Sequence, residues 1–286
     1  DNLGEYNANF KRFQKHIKQG KEGFVKSAYS AYRERSLGLG AMGFHSYLQS
    51  RSLPFEGIYA TGFNHKAFKY IKTQATRASE RLADERGEAP DVSGSGRRNA
   101  NLLAVAPNAS SSIICGGTSP SIEPYRANVY THKTLSGSFQ VKNKYLEEVL
   151  KDKGLKKDEL TVVWKDIAGN EGSVQHLDIL TDEEKEVFKT ANEIDQIWII
   201  EHASKRQEFI CQAQSVNLFF TIPTATEPQE VHDEYMQYVN DVHWYGMNKL
   251  KSLYYFRTNA ARNAENVNTK VQRIKLDDAE CIACEG

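Results

Sequence analysis

Short apolar runs alternate with long amphipathic helices along this chain, and that alternation restricts the fold more than any other feature. Leu102-Leu103-Ala104-Val105-Ala106 is a continuous apolar run bounded by turn signals, as a strand buried on both faces requires. Residues 215–222 and 252–257 read as further strands, rich in aromatic and apolar residues. Helices are expected over residues 66–86, 181–206 and 226–250. The first carries an apolar stripe of Ala67, Tyr70, Ile71, Ala75, Ala78 and Leu82. The second starts at the capping box Thr181-Asp182-Glu183-Glu184, and the third at Thr226–Gln229 with Pro228 in its first turn. Strands alternating with such helices predict an α/β sheet or barrel.

The remaining segments are less regular. Residues 6–32 read as a basic surface helix, and Gly43-Phe44 leads into a short apolar helix through Leu48. Residues 87–99, rich in Gly, Ser and Arg, form a loop. Residues 141–180 alternate charged helix with Gly-rich turns and read as a surface excursion. From residue 260 onward apolar periodicity is lost, which predicts a mobile polar tail.

Composition removes several classes of function. The chain has 286 residues, with 37 Lys plus Arg against 37 Asp plus Glu. A formal charge of zero argues against a nucleic-acid surface. No run of roughly 18 apolar residues is present, so a membrane span is not expected. Asp1-Asn2-Leu3-Gly4 is neither a signal peptide nor a natural start, so the chain is expected to be a piece of something longer or a processed product. Four cysteines are too few for a disulfide scaffold at this length and fit a reducing, cytoplasmic compartment. Cys115 and Cys211 sit in apolar sequence surroundings.

The segment after residue 106 carries the strongest local chemistry. Pro107-Asn108-Ala109-Ser110-Ser111-Ser112 follows a buried strand and opens a helix. Unpaired first-turn N–H groups and serine hydroxyls then converge where α/β folds bind ligands, at the carboxyl end of a strand. That suits a phosphate; a plain serine-capped helix would look the same. Gly38-Leu39-Gly40-Ala41-Met42-Gly43 satisfies GxGxxG, but Arg33-Glu34-Arg35-Ser36 precedes it instead of an apolar strand. Close packing at a helix start accounts for it better. Tyr254-Tyr255 lies in a strand, where neighbours normally face opposite sides, one core and one surface. Cys281-Ile282-Ala283-Cys284 lacks a second ligand pair for zinc, which leaves a mobile dithiol exchanging with other disulfides. Ser110–Ser112 lack the GxSxG elbow of a serine hydrolase, and His45 and His202 read as surface or satisfied core residues. No metal site is expected.

Taken in order, these motifs resemble the large (α) subunit of aerobic class I ribonucleotide reductases. The likeness is strongest over residues 98–142: Ala106 to Ser112, Ser121-Ile122-Glu123-Pro124-Tyr125, and Thr134-Leu135-Ser136-Gly137-Ser138-Phe139-Gln140. Arg35-Ser36-Leu37-Gly38-Leu39-Gly40, Gln212 to Leu218, Leu253 to Thr258 and the terminal Cys281 and Cys284 extend it from about residue 30 to the end. The resemblance implies the second half of a ten-stranded α/β barrel over residues 1–259, followed by a flexible redox tail over 260–286. It implies that Pro107, Asn108, Ala109, Ser110 and Ser111 hold the diphosphate of a ribonucleoside diphosphate. Tyr254 and Tyr255 would relay a radical, their rings stacked. Cys281 and Cys284 would re-reduce an active-site disulfide and then be reduced by thioredoxin or glutaredoxin.

The same resemblance places the thiyl-forming cysteine, its neighbouring asparagine and glutamate, the redox cysteine pair and the effector-binding regions upstream of residue 1. Neither Cys115 nor Cys211 lies in a matching position, and the tail spacing differs from that of some family members. The implied partners are the upstream half of the α subunit and a small subunit carrying a diiron-tyrosyl radical, with no cofactor bound by this chain itself. The alternative is a non-catalytic nucleotide-binding or assembly module that kept the fold. An isolated half-barrel would expose a broad apolar edge and should need its other half.

Overall fold

Hydrogen bonds between four extended segments set the frame of the molecule. In this computed structural model, which describes residues 11, 15, 29–134 and 137–258, segment 37–40 lies beside 102–106. Leu37 and Leu39 N–H donate to Asn101 and Leu102 carbonyls, and Ala104 N–H returns to the Leu39 carbonyl. On its other side, residues 102–106 join a third segment. Gln212 N–H donates to the Leu103 carbonyl, Val105 N–H to Ala213, and Ser215 N–H to Val105. That third segment continues into β3 (Leu218–Phe220), which pairs with β4 (Phe256–Thr258). The Leu39–Leu103 and Val105–Gln214 bridges and the β3–β4 pair are all parallel. The α/β reading is thereby borne out.

Parallel neighbours require crossovers, and helices supply them. The first return uses α1 (Phe44–Gln49) and α2 (Ile58–Arg86). The second carries α3 (Ala109–Ile114), an antiparallel hairpin of β1 (Val129–Thr134) and β2 (Gly137–Lys142), then α4 (Lys144–Asp152), α5 (Lys157–Gly169), α6 (Asp182–Val187) and α7 (Gln196–Gln207). The third is α8 (Gln229–Lys249). Helices α2 and α8 both pack on α7, which also touches β3. Val216, Leu218, Phe219 and Phe220 are buried in one cluster with Phe44, Ile200 and Val242. The glycines of segment 38–43 serve this packing: a Cβ at Gly40 would lie 2.7 Å from the Ala104 carbonyl oxygen. The glycines thus serve close packing as expected, but Gly38 and Gly40 do so in an extended segment and only Gly43 at a helix start.

Several local expectations are corrected. Helix α2 begins earlier than residue 66, and its most buried side is Ala60, Asn64, Phe68, Ser79 and Ala83, whereas Tyr70 is 66% exposed. Asn64 donates to the His202 carbonyl and Ser79 to Asn99 Oδ1, so two polar residues occupy core positions that an apolar count cannot register. The Thr181 capping box forms, with Glu184 N–H on Thr181 Oγ1 and Thr181 N–H on Glu184 Oε2. Its helix stops at Val187, however. Ala191 N–H pairs with the Tyr125 carbonyl, and a new start at Asp195, whose side chain accepts from Ile197 N–H, opens α7. No box forms at Thr226; its hydroxyl meets Thr224, and Pro228 sits at the N-cap of α8.

The expected surface excursion is a module with its own core. Leu146, Leu150, Trp164, Ile167 and Val174 pack there with Val187 and Phe188. Gly172 (φ +85°) crosses Ala127 so closely that a Cβ would lie 2.4 Å from the alanine side chain. Buried amides tie the module to the rest: Asn143 Nδ2 donates to Gln49 Oε1 and Asn128 Oδ1, and Gln49 Nε2 donates to the Val187 carbonyl. Most of the helix expected over 6–32 lies outside the described residues, within which 29–34 are helical.

Candidate functional site

The serine loop leaves the carboxyl end of segment 102–106. Asn108 takes a left-handed conformation (φ 52°) and caps α3 without a side-chain hydrogen bond. The first helical bond runs from Ser112 N–H to the Asn108 carbonyl, so the N–H groups of Ala109, Ser110 and Ser111 precede the ladder. Ser112 is buried and donates back to the Ala109 carbonyl at 2.7 Å. Ala109, Ser110 and Ser111 stay exposed, while Pro107 and Asn108 are half-buried. Asn108 and Ser111 face Gly38, Gly40, Met42 and Ala106 across a cleft of about 280 Å³. The glycines that permit close strand packing thus also clear space beside the loop.

The tyrosine pair departs from strand alternation. Both rings are half-exposed, at 47% and 50%, and their centroids are 4.1 Å apart at 50°. Hydrogen bonds show why. Tyr254 N–H donates to the Val216 carbonyl, and Leu218 N–H donates to the Tyr255 carbonyl. In a regular parallel ladder one residue would make both bonds, so two tyrosines stand opposite Asn217, as in a β-bulge. The extra residue leaves the Tyr255 N–H out of the ladder, and Asn217 Oδ1 accepts it at 3.2 Å. The expectation of one core and one surface tyrosine is therefore wrong. The neighbouring Tyr255 phenol holds the Tyr254 hydroxyl above its ordinary pKa. The Arg257 guanidinium lies over the Tyr255 ring, 5.1 Å from its centroid. Tyr255 also lines a cavity of about 590 Å³ with Arg126, Asn192, Phe219 and Arg257. This cavity and the serine-loop cleft share no lining residue.

The thiols are placed unequally. Cys281 and Cys284 lie outside the described residues. Cys115 is exposed at the end of α3, contrary to its apolar sequence surroundings. Burial pushes the Cys211 thiol up, but the Lys72 ammonium, 2.8 Å from Sγ, outweighs it together with backbone N–H groups, and the pKa falls to about 7. No sequence spacing links Lys72 to Cys211; the pairing exists only because α2 packs beside the third segment. Glu123 and Asn217, which sequence reading left without individual roles, are buried and hydrogen-bonded to each other. His45 and His202 are fully buried and satisfied, each kept neutral mainly by burial. Among the described residues no group of His, Cys, Asp or Glu is placed to hold a metal ion.

The family profile described as "Ribonucleotide reductase, barrel domain" matches residues 10–95 and 89–256. The chain belongs to the ribonucleotide reductase barrel-domain family. It is 42% identical over 265 residues to the ribonucleoside-diphosphate reductase large subunit of Invertebrate iridescent virus 3, covering 91% of this chain and 40% of that protein. The large subunit of Caenorhabditis elegans is 29% identical over 304 residues, covering 90% of this chain and 37% of the relative. Among solved structures, the Actinobacillus ureae class Id ribonucleotide reductase alpha subunit superposes with a TM-score of 0.68 at 39% identity, covering 86% of this chain and 44% of that one. This reductase barrel segment thus spans less than half the length of these relatives. No helix among its described residues is long and apolar enough to cross a membrane.

Proposed function

We propose that this chain is the C-terminal portion of the large subunit of a ribonucleoside-diphosphate reductase. In this reading it contributes a substrate-diphosphate loop, two radical-relay tyrosines and a tail dithiol to the conversion of ribonucleoside diphosphates to 2'-deoxyribonucleoside diphosphates. The contact of the Tyr254 and Tyr255 rings at a bulge carries the reading. A phenol with a pKa of about 10 is protonated at neutral pH, so its oxidation must release a proton with the electron. Two phenols in contact can exchange both together, and no net charge is then left on either ring.

The loop's role follows from its donors. Three free N–H groups and the exposed Ser110 and Ser111 hydroxyls offer hydrogen bonds to a diphosphate, with Pro107 and Asn108 setting the turn. Cys281 and Cys284 would deliver two electrons and two protons to a disulfide of the upstream portion, becoming a disulfide that thioredoxin or glutaredoxin reduces. The radical would come from the diiron centre of a small subunit. All of this fits a reducing cytoplasm.

Reconstitution with the upstream portion and the small subunit tests the reading. Tyr255→Phe keeps the ring but removes the oxidisable O–H. Turnover of a ribonucleoside diphosphate should disappear while diphosphate binding survives. Full turnover by the variant would overturn the relay and favour a nucleotide-binding or assembly module.

A further inference from the structure

The bulge that brings the two tyrosines together is held by a side chain in place of a backbone partner, and that side chain is itself held. Asn217 is 1% exposed. Its Oδ1 accepts the Tyr255 N–H at 3.2 Å, and its Nδ2 donates to Glu123 Oε1 at 2.5 Å. An amide has one donor end and one acceptor end. Turned over, Asn217 would point NH₂ at the Tyr255 N–H and its oxygen at the Glu123 carboxylate, a donor–donor and an acceptor–acceptor clash. The carboxylate therefore decides which end of the amide faces the bulge.

Glu123 is well placed for this. It is 5% exposed, and its segment is pinned on both sides: Glu123 N–H bonds the Pro120 carbonyl and Tyr125 N–H bonds His45 Nδ1. Burial raises the Glu123 pKa, opposed by Arg126, by the Asn217 hydrogen bond and by Arg257. Arg257 is the same cation that covers the Tyr255 ring.

We propose that Glu123 is a positioning residue for the tyrosine pair: by orienting the Asn217 amide it fixes the backbone of Tyr255 and keeps the two rings in contact. The inference rests on the relay reading for its purpose, but not for its geometry. It assigns a role to the glutamate of Ser121-Ile122-Glu123-Pro124-Tyr125, whose link to the tyrosines through Asn217 is invisible in sequence because 94 residues separate Glu123 from Asn217.

The test uses the full chain carrying a ring-fluorinated tyrosine at position 255, read by fluorine NMR, with hydrogen exchange of the Tyr255 amide. Glu123→Ala should shift or broaden the Tyr255 resonance and speed exchange of its amide about tenfold, the effect of losing one oriented hydrogen bond. Glu123→Gln should restore both readouts, because its amide oxygen accepts the same bond. Asn217→Ala should reproduce Glu123→Ala, and combining the two should add nothing further. Should Glu123→Ala not fold, the comparison of Asn217→Ala with Glu123→Gln decides. An unchanged resonance and amide in Glu123→Ala, or in Asn217→Ala, would overturn the proposal, as would Glu123→Gln behaving like Glu123→Ala. None of these readouts needs turnover. Failure of the Tyr255→Phe test with the clamp intact therefore removes the relay, and a failed clamp with Tyr255→Phe inactive removes only the role of Glu123.

Discussion

The helical module of residues 143–188 and the four parallel segments bury apolar surface by opposite means. In the module, ends are closed locally: Asn143 caps α4, and Thr181 and Glu184 cap α6 reciprocally. Its core of Leu146, Leu150, Trp164 and Ile167 comes from neighbouring helices. The sheet layer relies on long-range polar bonds instead. Arg206, 1% exposed, donates to Gln214 Oε1 and Asn64 Oδ1, and burial lowers its pKa to about 9, still charged at neutral pH. Gln196 Oε1 accepts from Phe219 N–H, 23 residues away. The region that carries the candidate chemistry is thus the one held by distant, buried polar groups. Irregular backbone such as the bulge at Tyr254 and Tyr255 can persist only where such groups replace missing ladder bonds.

The difference can be broken at its strongest point. Trp164→Ala should cost about 3–5 kcal/mol by removing the largest side chain of the module core. Hydrogen exchange should show the loss confined to residues 143–188. Equal loss across the parallel segments would mean that the two cores unfold as one unit.

Acid should then act on the other side. Burial lowers His45 from 6.5 to about 3 and His202 to about 4. Below about pH 6.5 the unfolded chain takes up protons at both positions that the folded chain refuses. Their contribution is complete above that pH and is lost as pH falls toward the folded values. The urea midpoint should therefore drop between pH 6.5 and 4, with α1 and α7 losing protection before the module, whose His176 is exposed beside Asp166. A midpoint flat over that range would remove the buried histidines from the account.

Smaller effects sharpen the contrast. Lys72→Met should raise the Cys211 pKa and slow its alkylation at pH 7 by about tenfold, as loss of a paired cation does for a thiolate. An unchanged rate would show that the backbone N–H groups alone lower it. Thr181→Ala should cost about 1 kcal/mol by thermal melting, the usual value of an N-cap. A negligible change would show that α6 is held by its packing and not by its ends.

These regions were unequally legible. The cap at Thr181, the buried run at Leu102 and the helix ending near Lys249 are written in adjacent residues, and the structure has all three. The module core escaped because charged residues interleave with the apolar ones over 141–180, and those apolar positions meet only when three helices close on each other. The break after Val187 escaped because the Tyr125 carbonyl that takes Ala191 N–H lies 66 residues away. At the candidate site the residue types of the serine loop and the tyrosine pair were legible. The bulge was not, since alternation is the only strand rule that local sequence carries.

By itself the sequence determined the α/β class, the buried run at 102–106, the long helices ending near Arg86 and Lys249, and which hydroxyls, phenols and thiols are available for chemistry. Those follow from periodicity, caps and residue type, all short-range properties. Only the tertiary structure decided that Tyr254 and Tyr255 share a face, that Asn217 takes the orphan N–H between them, and that Glu123 orients Asn217. The physical reason is that a buried hydrogen-bonding group must find a partner wherever the fold supplies one, and that partner need not be near in the chain.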